Sequence, residues 1–143
     1  ALLGVGMGIT VAPLTDTVMG AAPPERTGTA SGINNAVSRV AGLLAVAGLG
    51  VVAVAAYGGA LTTAIEGSGI PAEYALPVLA QRARLAATEI PAGVPAEYAT
   101  LLRDAVNHSF VTSFRTVTLI CAALGAGAAV VTAIMIAGGR RET

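Results

Sequence analysis

Two stretches of this chain carry no charged residue at all: Val40–Ile65, 26 residues, and Thr116–Gly139, 24 residues. At about 1.5 Å of rise per residue each makes a helix of roughly 36 to 39 Å, longer than a hydrocarbon core of ~30 Å. The Val40–Ile65 run offers no polar face to water, which argues against a water-soluble helical protein. Composition agrees, with 55% hydrophobic and 11% charged residues, where a soluble domain carries about a quarter charged. A third apolar run, "ALLGVGMGITVAPLTDTVMGAA" at 1–22, is interrupted by Pro13 and Asp16. It is read as a further span, because neighbouring helices in a membrane can satisfy the carbonyl that a proline frees. The expected fold is all-α: an integral membrane chain with three transmembrane helices and the lipid bilayer as its first partner.

The apolar mass is Ala, Val, Leu, Ile and Gly, with aromatics only 3% and no Trp. Small residues let helix backbones approach in lipid, so Gly4-x-x-x-Gly8 and Gly42 are candidate helix-packing positions. "GVGMG" at Gly4 lacks the third glycine and the preceding strand of a dinucleotide site. Every basic residue is Arg, and the arginines are dispersed, which excludes a nucleic-acid-binding stripe. Cys121, the single cysteine, lies inside an apolar run and is read as packing. The chain starts at Ala1 within an apolar run, without Met or a basic leader, and is expected to be part of a longer protein.

These features give an expected layout of a span at 1–22, a short loop at 23–32, a span at 33–58, a long segment at 59–110, a last span at 111–138 and a tail at 139–143. The long segment contains an internal echo, "GIPAEYA" from Gly69 and "GVPAEYA" from Gly93. In each, Pro stands where a helix can begin and Glu follows near the positive end of the helix dipole, predicting two helix starts. Short amphipathic helices lying over the ends of the spans are the expected product. Three spans put the short loop and the Arg140-Arg141 tail on one side and the long segment on the other. Arginines are equally divided between the sides, so the charge rule only leans towards a cytoplasmic short loop.

Chemistry is sparse. No metal-ligand spacing, nucleophile with a base, or phosphate loop is present, and the chain is expected not to be an enzyme and to need no cofactor. Asp16 and Arg39 lie at similar distances on either side of Gly28, and in a helical hairpin closing around that loop they fall at similar depth. An ionisable residue in that position is a functional candidate by default, with snorkelling to the interface as the competing reading. Asn34 and Asn35 serve as polar contacts between helices, as a helix start, or as ligand contacts. Glu25 and Arg26 read as a solvated loop pair, and His108 as an interfacial residue.

The series "PPERTGTASGINNAVSRVAGLLAVAGLG" resembles the loop and following span near the C-terminus of the fourteen-span drug:proton antiporters, the EmrB/QacA-like branch of the major facilitator superfamily. The matching residues are Pro24, Gly28, Ala30, Ser31, Gly32, Asn35, Arg39 and Gly42; the Asn-to-Arg spacing is slightly longer than the family's usual one. The resemblance implies the last three spans of such a transporter, with the short loop cytoplasmic and the long segment external. It further implies multidrug efflux by alternating access across the cell membrane, driven by a proton gradient, with a hydrophobic or cationic small molecule as substrate. The family's proton-carrying acidic residues in early spans fall outside this chain, so the remainder of the transporter would be an obligatory partner. On this resemblance Arg39 and the Gly28–Asn35 segment, with Asn34 and Asn35, belong to a cytoplasmic gate, and Asp16 is a gating partner or minor proton site. The competing expectations are an exporter of another small solute and a small three-span scaffold or assembly subunit.

Overall fold

The computed structural model describes residues 4–6, 8–9, 11, 16, 20 and 23–139, with backbone only for 135–139. Among the described residues the chain is helical and contains no strand. Three α-helices follow a 3-10 turn at Pro24–Arg26: α1 (Thr27–Glu66), α2 (Ala72–Leu79) and α3 (Ala96–Gly139), with a second 3-10 segment, Arg82–Ala87, between the last two. Two helices, at Pro24–Glu66 and Ala96–Ile134, are long and apolar enough to cross a membrane, with mean hydropathies of 2.3 and 2.2 in their most apolar windows. The span expected at 1–22 lies largely outside the described residues; those described there, such as Gly4, Gly8 and Asp16, are helical. The chain divides into two compact units, Ala1–Ala47 and Gly48–Thr143.

Both long helices outrun the apolar segments from which they were expected. α1 starts at Thr27 rather than 33 and ends at Glu66 rather than 58, and α3 starts at Ala96 rather than 111. Backbone hydrogen bonding propagates wherever the next residue tolerates helix, and "AEYATLLRDAVNHSF" supplies polar but helix-compatible side chains at the head of α3. The Pro23–Gly32 stretch is likewise mostly helix. Arg26 N–H donates to Pro23 O at 2.9 Å and the Thr27 hydroxyl donates to Pro24 O at 3.1 Å, which winds the proline pair directly into α1.

In the unit from Gly48 onward the core lies between the two apolar helices in sequence, not along them. Tyr57, Leu61 and Ile65, one turn apart on α1, bury one stripe. Ile70 from the turn, Ala75 and Val78 from α2, and Leu102, Ala105 and Val106 from α3 complete the cluster. Fully burying side chains of the size of Leu61, Leu102 and Val78 contributes about 1.5 to 3 kcal/mol each. The most apolar windows of the two long helices, by contrast, are 6% and 0% buried, so neither is a core helix of this fold.

The two halves of the sequence echo adopt matching structures. Gly69 and Gly93 both take positive φ, 69° and 91°, a region closed to most side chains but open to glycine. Pro71 and Pro95 then precede α2 and α3, accepting hydrogen bonds from the first helical N–H groups at 2.9 to 3.1 Å. Each helix has a Glu in its first turn, Glu73 and Glu97. The two echoed tyrosines meet: the rings of Tyr74 and Tyr98 stack with centroids 5.7 Å apart and planes 29° apart. Glu73 raises the Tyr74 phenol above its ordinary pKa, through a side-chain hydrogen bond and its negative charge. The second echo therefore opens the long helix α3 itself rather than a separate short helix.

Side-chain hydrogen bonds fasten the intervening segment. The Thr88 hydroxyl has one proton, placed on Leu85 O at 2.7 Å, so the buried Tyr57 hydroxyl, 3.0 Å away, donates to Thr88. Gln81 closes the same loop: its amide nitrogen donates to Glu89 O at 3.0 Å and its amide oxygen accepts from Glu89 N–H at 3.1 Å. Leu85, at φ 55° and ψ −128°, holds a backbone conformation that costs a non-glycine residue about 1 to 3 kcal/mol. The double acceptance at its carbonyl, from the Thr88 hydroxyl and the Thr88 N–H at 3.1 Å, and its packing on the core hold it there.

One bond ties the two long helices directly. The Ser113 hydroxyl donates to Ala53 O at 2.8 Å, while Ser109, one turn earlier and fully buried, has a hydroxyl with no partner among the described residues. Ser113→Ala should therefore destabilise the fold by about 0.6 to 1.7 kcal/mol. Ser109→Ala should be neutral or stabilising, because it removes a buried polar atom that nothing satisfies. Thermal unfolding of the two variants in detergent should move in opposite directions or leave Ser109→Ala unchanged.

Candidate functional site

The residues singled out by sequence lie at the head of α1 and in the unit Ala1–Ala47. Pro24 opens the 3-10 turn, and Gly28, Ser31, Gly32, Asn34, Asn35, Arg39 and Gly42 all stand on the first turns of α1. No loop separates them. Their spacing then acquires a geometric meaning: Gly28, Gly32, Asn35, Arg39 and Gly42 alternate by four and three residues and so share one face of a single helix. That face is small at its ends and polar in the middle. Val46 continues the same series into the uncharged segment.

Asn35 and Arg39 interact across one turn, with Arg39 Nε donating to Asn35 Oδ1 at 3.3 Å. Asn34, on a different face, is half-buried, whereas Asn35 and Arg39 are exposed. Asp16 is helical and exposed, and it forms no ion pair with Arg39; among the described residues no arginine is ion-paired to a carboxylate. A Cβ built on Gly4, Gly8, Gly28, Gly32 or Gly42 would meet no atom within 4 Å among the described residues. Among the described residues the stripe is thus uncovered along its length. A shallow hollow of about 440 Å³ runs beside it, lined by Ser38, Arg39, Gly42, Leu43 and Val46.

Glu25, Arg26 and His108 are exposed, as is the thiol of Cys121. Among the described residues no group of three His, Cys, Asp or Glu side chains gathers closely enough to hold a metal ion. A second hollow, about 470 Å³, lies between the Ala86–Ile90 segment and α3, where Thr88, Glu89, Arg103 and Asn107 reach its surface. It is wide and polar and has no buried charged group.

Sequence reasoning missed two features. The face-sharing of Gly28, Gly32, Asn35, Arg39 and Gly42 was readable from spacing alone, once the proline stretch is allowed to be helical. The other is Arg82, whose side chain lies across α1 at Gly58: a Cβ on Gly58 would come within 3.4 Å of Arg82 Cδ. Only the paired Gly58-Gly59 at the end of an apolar run hints at it, as a place where something approaches the helix closely.

No protein-family model, curated protein or solved structure matches the chain.

The Asn35–Arg39 pair is exposed and local, so it contributes little to the helix. Asn35→Ala should change stability by no more than about 0.5 kcal/mol, seen as superimposable circular-dichroism melts. A larger loss would mean that Asn35 holds a tertiary contact.

Proposed function

We propose that this chain is the C-terminal part of a proton-coupled exporter of hydrophobic or cationic compounds, similar to the fourteen-span drug:proton antiporters and working by alternating access in the cell membrane. The observation that carries the reading is the open stripe of Gly28, Gly32, Asn35, Arg39 and Gly42, on a helix that continues without interruption into 26 uncharged residues. Small residues flanking a polar pair are what a helix needs to slide against and hydrogen-bond to another helix inside a low-dielectric phase. A charged residue there is costly unless it is paired or hydrated, and Arg39, bonded within its own helix to Asn35, can take a partner from another helix in one state of a gate.

Membrane residence is supported by the two long helices whose most apolar windows are 6% and 0% buried. A core helix of a soluble domain of this hydropathy would be covered by protein. Lipid and the remaining transporter helices are the covering that the exposed Leu43, Leu44, Val46, Phe114, Leu124 and Ile134 call for. On this reading the packed segment around Tyr57 and Leu102 caps the helices on the external side. The cytoplasmic gate comprises Arg39, Asn35 and Asn34, with Asp16 as gating partner or minor proton site, and Pro24, Gly28, Ser31 and Gly32 form the helix end that moves. The proton gradient supplies the energy, and substrate is drawn from the bilayer.

The test is Arg39→Ala in the transporter that carries this chain. Proton-driven efflux should fall by at least about tenfold, the equivalent of losing about 1.4 kcal/mol at the gate. The amount of protein in alkali-washed membranes should not change. Unaltered efflux would remove the gate role from Arg39, and recovery of the chain in the soluble fraction without detergent would remove the transporter reading altogether.

A further inference from the structure

Arg82 begins the second 3-10 segment and lays its aliphatic stem on α1 at Gly58, with Cδ 3.4 Å, Cβ 3.8 Å and Cγ 3.9 Å from where a glycine Cβ would stand. Its guanidinium has no hydrogen bond or ion pair among the described residues. The neighbouring Arg84, in contrast, donates to Gln81 Oε1 at 3.4 Å. Arg82 also stands between two hollows that share it and Thr62. One, about 540 Å³, runs along α1 past Gly59, Gly58, Ala55 and Val54; the other, about 440 Å³, is walled by Leu76, Leu79 and Ala80 of the α2 region.

The walls offer an anion little besides Arg82. The Thr62 and Thr63 hydroxyls are spent as donors on Gly58 O at 2.9 Å and Gly59 O at 3.0 Å. A cation unpaired among the described residues, above a trough whose two threonines have no donor to spare, fits a molecule with a negative head and a hydrocarbon tail. Position narrows the choice. Gly58 lies eight residues before Glu66, about 12 Å down the helix, inside the uncharged run, and the trough leads on to the uncovered Val51.

We propose that Arg82 and the Gly58 face of α1 bind the phosphodiester of an anionic phospholipid, with an acyl chain lying along Ala55 and Val54. The site rests on the reading of α1 as a membrane span. The stem of Arg82 covers helix surface while its charged end meets the headgroup layer. A Cβ at 58 would already be in contact with Arg82 Cδ at 3.4 Å, so a side chain larger than that of alanine would lift the stem from the helix.

The chain contains no Trp, so Val51→Trp places a single indole one turn below the trough. The protein is reconstituted in vesicles of dibrominated phosphatidylglycerol or dibrominated phosphatidylcholine, and quenching of the indole gives relative lipid occupancy. The anionic lipid should be favoured about fivefold, as expected for one arginine near a headgroup. Arg82→Ala should bring the ratio to unity, Arg82→Lys should retain a preference, and Gly58→Leu should reduce it without removing any charge. An unchanged ratio in both Arg82→Ala and Gly58→Leu overturns the site, as does loss of the preference when inorganic phosphate is added in excess over headgroups, since that marks a simple anion site. Absence of quenching by either lipid would instead place α1 outside the bilayer and remove the spanning reading beneath the proposal.

Discussion

The fold from Gly48 onward depends on where a chain with two long uncharged runs can bury anything. A helix that is apolar on every side has no inner face to hide, so burial concentrates where apolar and polar residues alternate at helical spacing. That place is the end of α1, the segment around α2 and the start of α3. Tyr57, Leu61 and Ile65 supply one wall, Leu102, Ala105 and Val106 the other, and Val78 fills between them. The consequence is a small conventional core at the junction of two helices that have none of their own. Polar groups admitted to it are almost all bonded, through Tyr57 to Thr88 and Ser113 to Ala53. Ser109 is the exception.

Much of this was visible in the residues, and the rest was hidden for identifiable reasons. Long uncharged runs favour helix because a helix satisfies its backbone within a single segment, and both helices are present. The Gly-x-Pro-Ala-Glu-Tyr echo specified two helix starts, and both occur where expected. Helix ends are less legible: charge and proline suggest loops, but Pro24 sits in a first turn, where its missing N–H costs nothing, and Glu66 and Arg103 are good helix formers. The Tyr74–Tyr98 stack and the seating of Arg82 on Gly58 join residues 24 apart in the sequence, and no local pattern encodes such meetings.

The candidate site was legible in its members and not in its form. Asn35, Arg39 and the glycines around them attract notice as polar or small residues beside an apolar run. Only their placement on one uninterrupted helix turns them into a single surface. Asp16 shows the opposite case, since similar spacing about Gly28 made it a candidate partner for Arg39, yet Arg39 is bonded to Asn35. An interaction one turn away forms with no loop to close, and that advantage holds wherever the distant partner is not forced into place.

The distribution of aromatic rings has a practical consequence. All three tyrosines, Tyr57, Tyr74 and Tyr98, belong to the packed layer between the long helices, and there is no indole anywhere in the chain. Near-ultraviolet absorption and emission of the native polypeptide therefore come almost wholly from that layer, with exciton coupling between the stacked pair as its signature. Loosening of that layer is observable optically without a label, while events along the apolar helices stay dark.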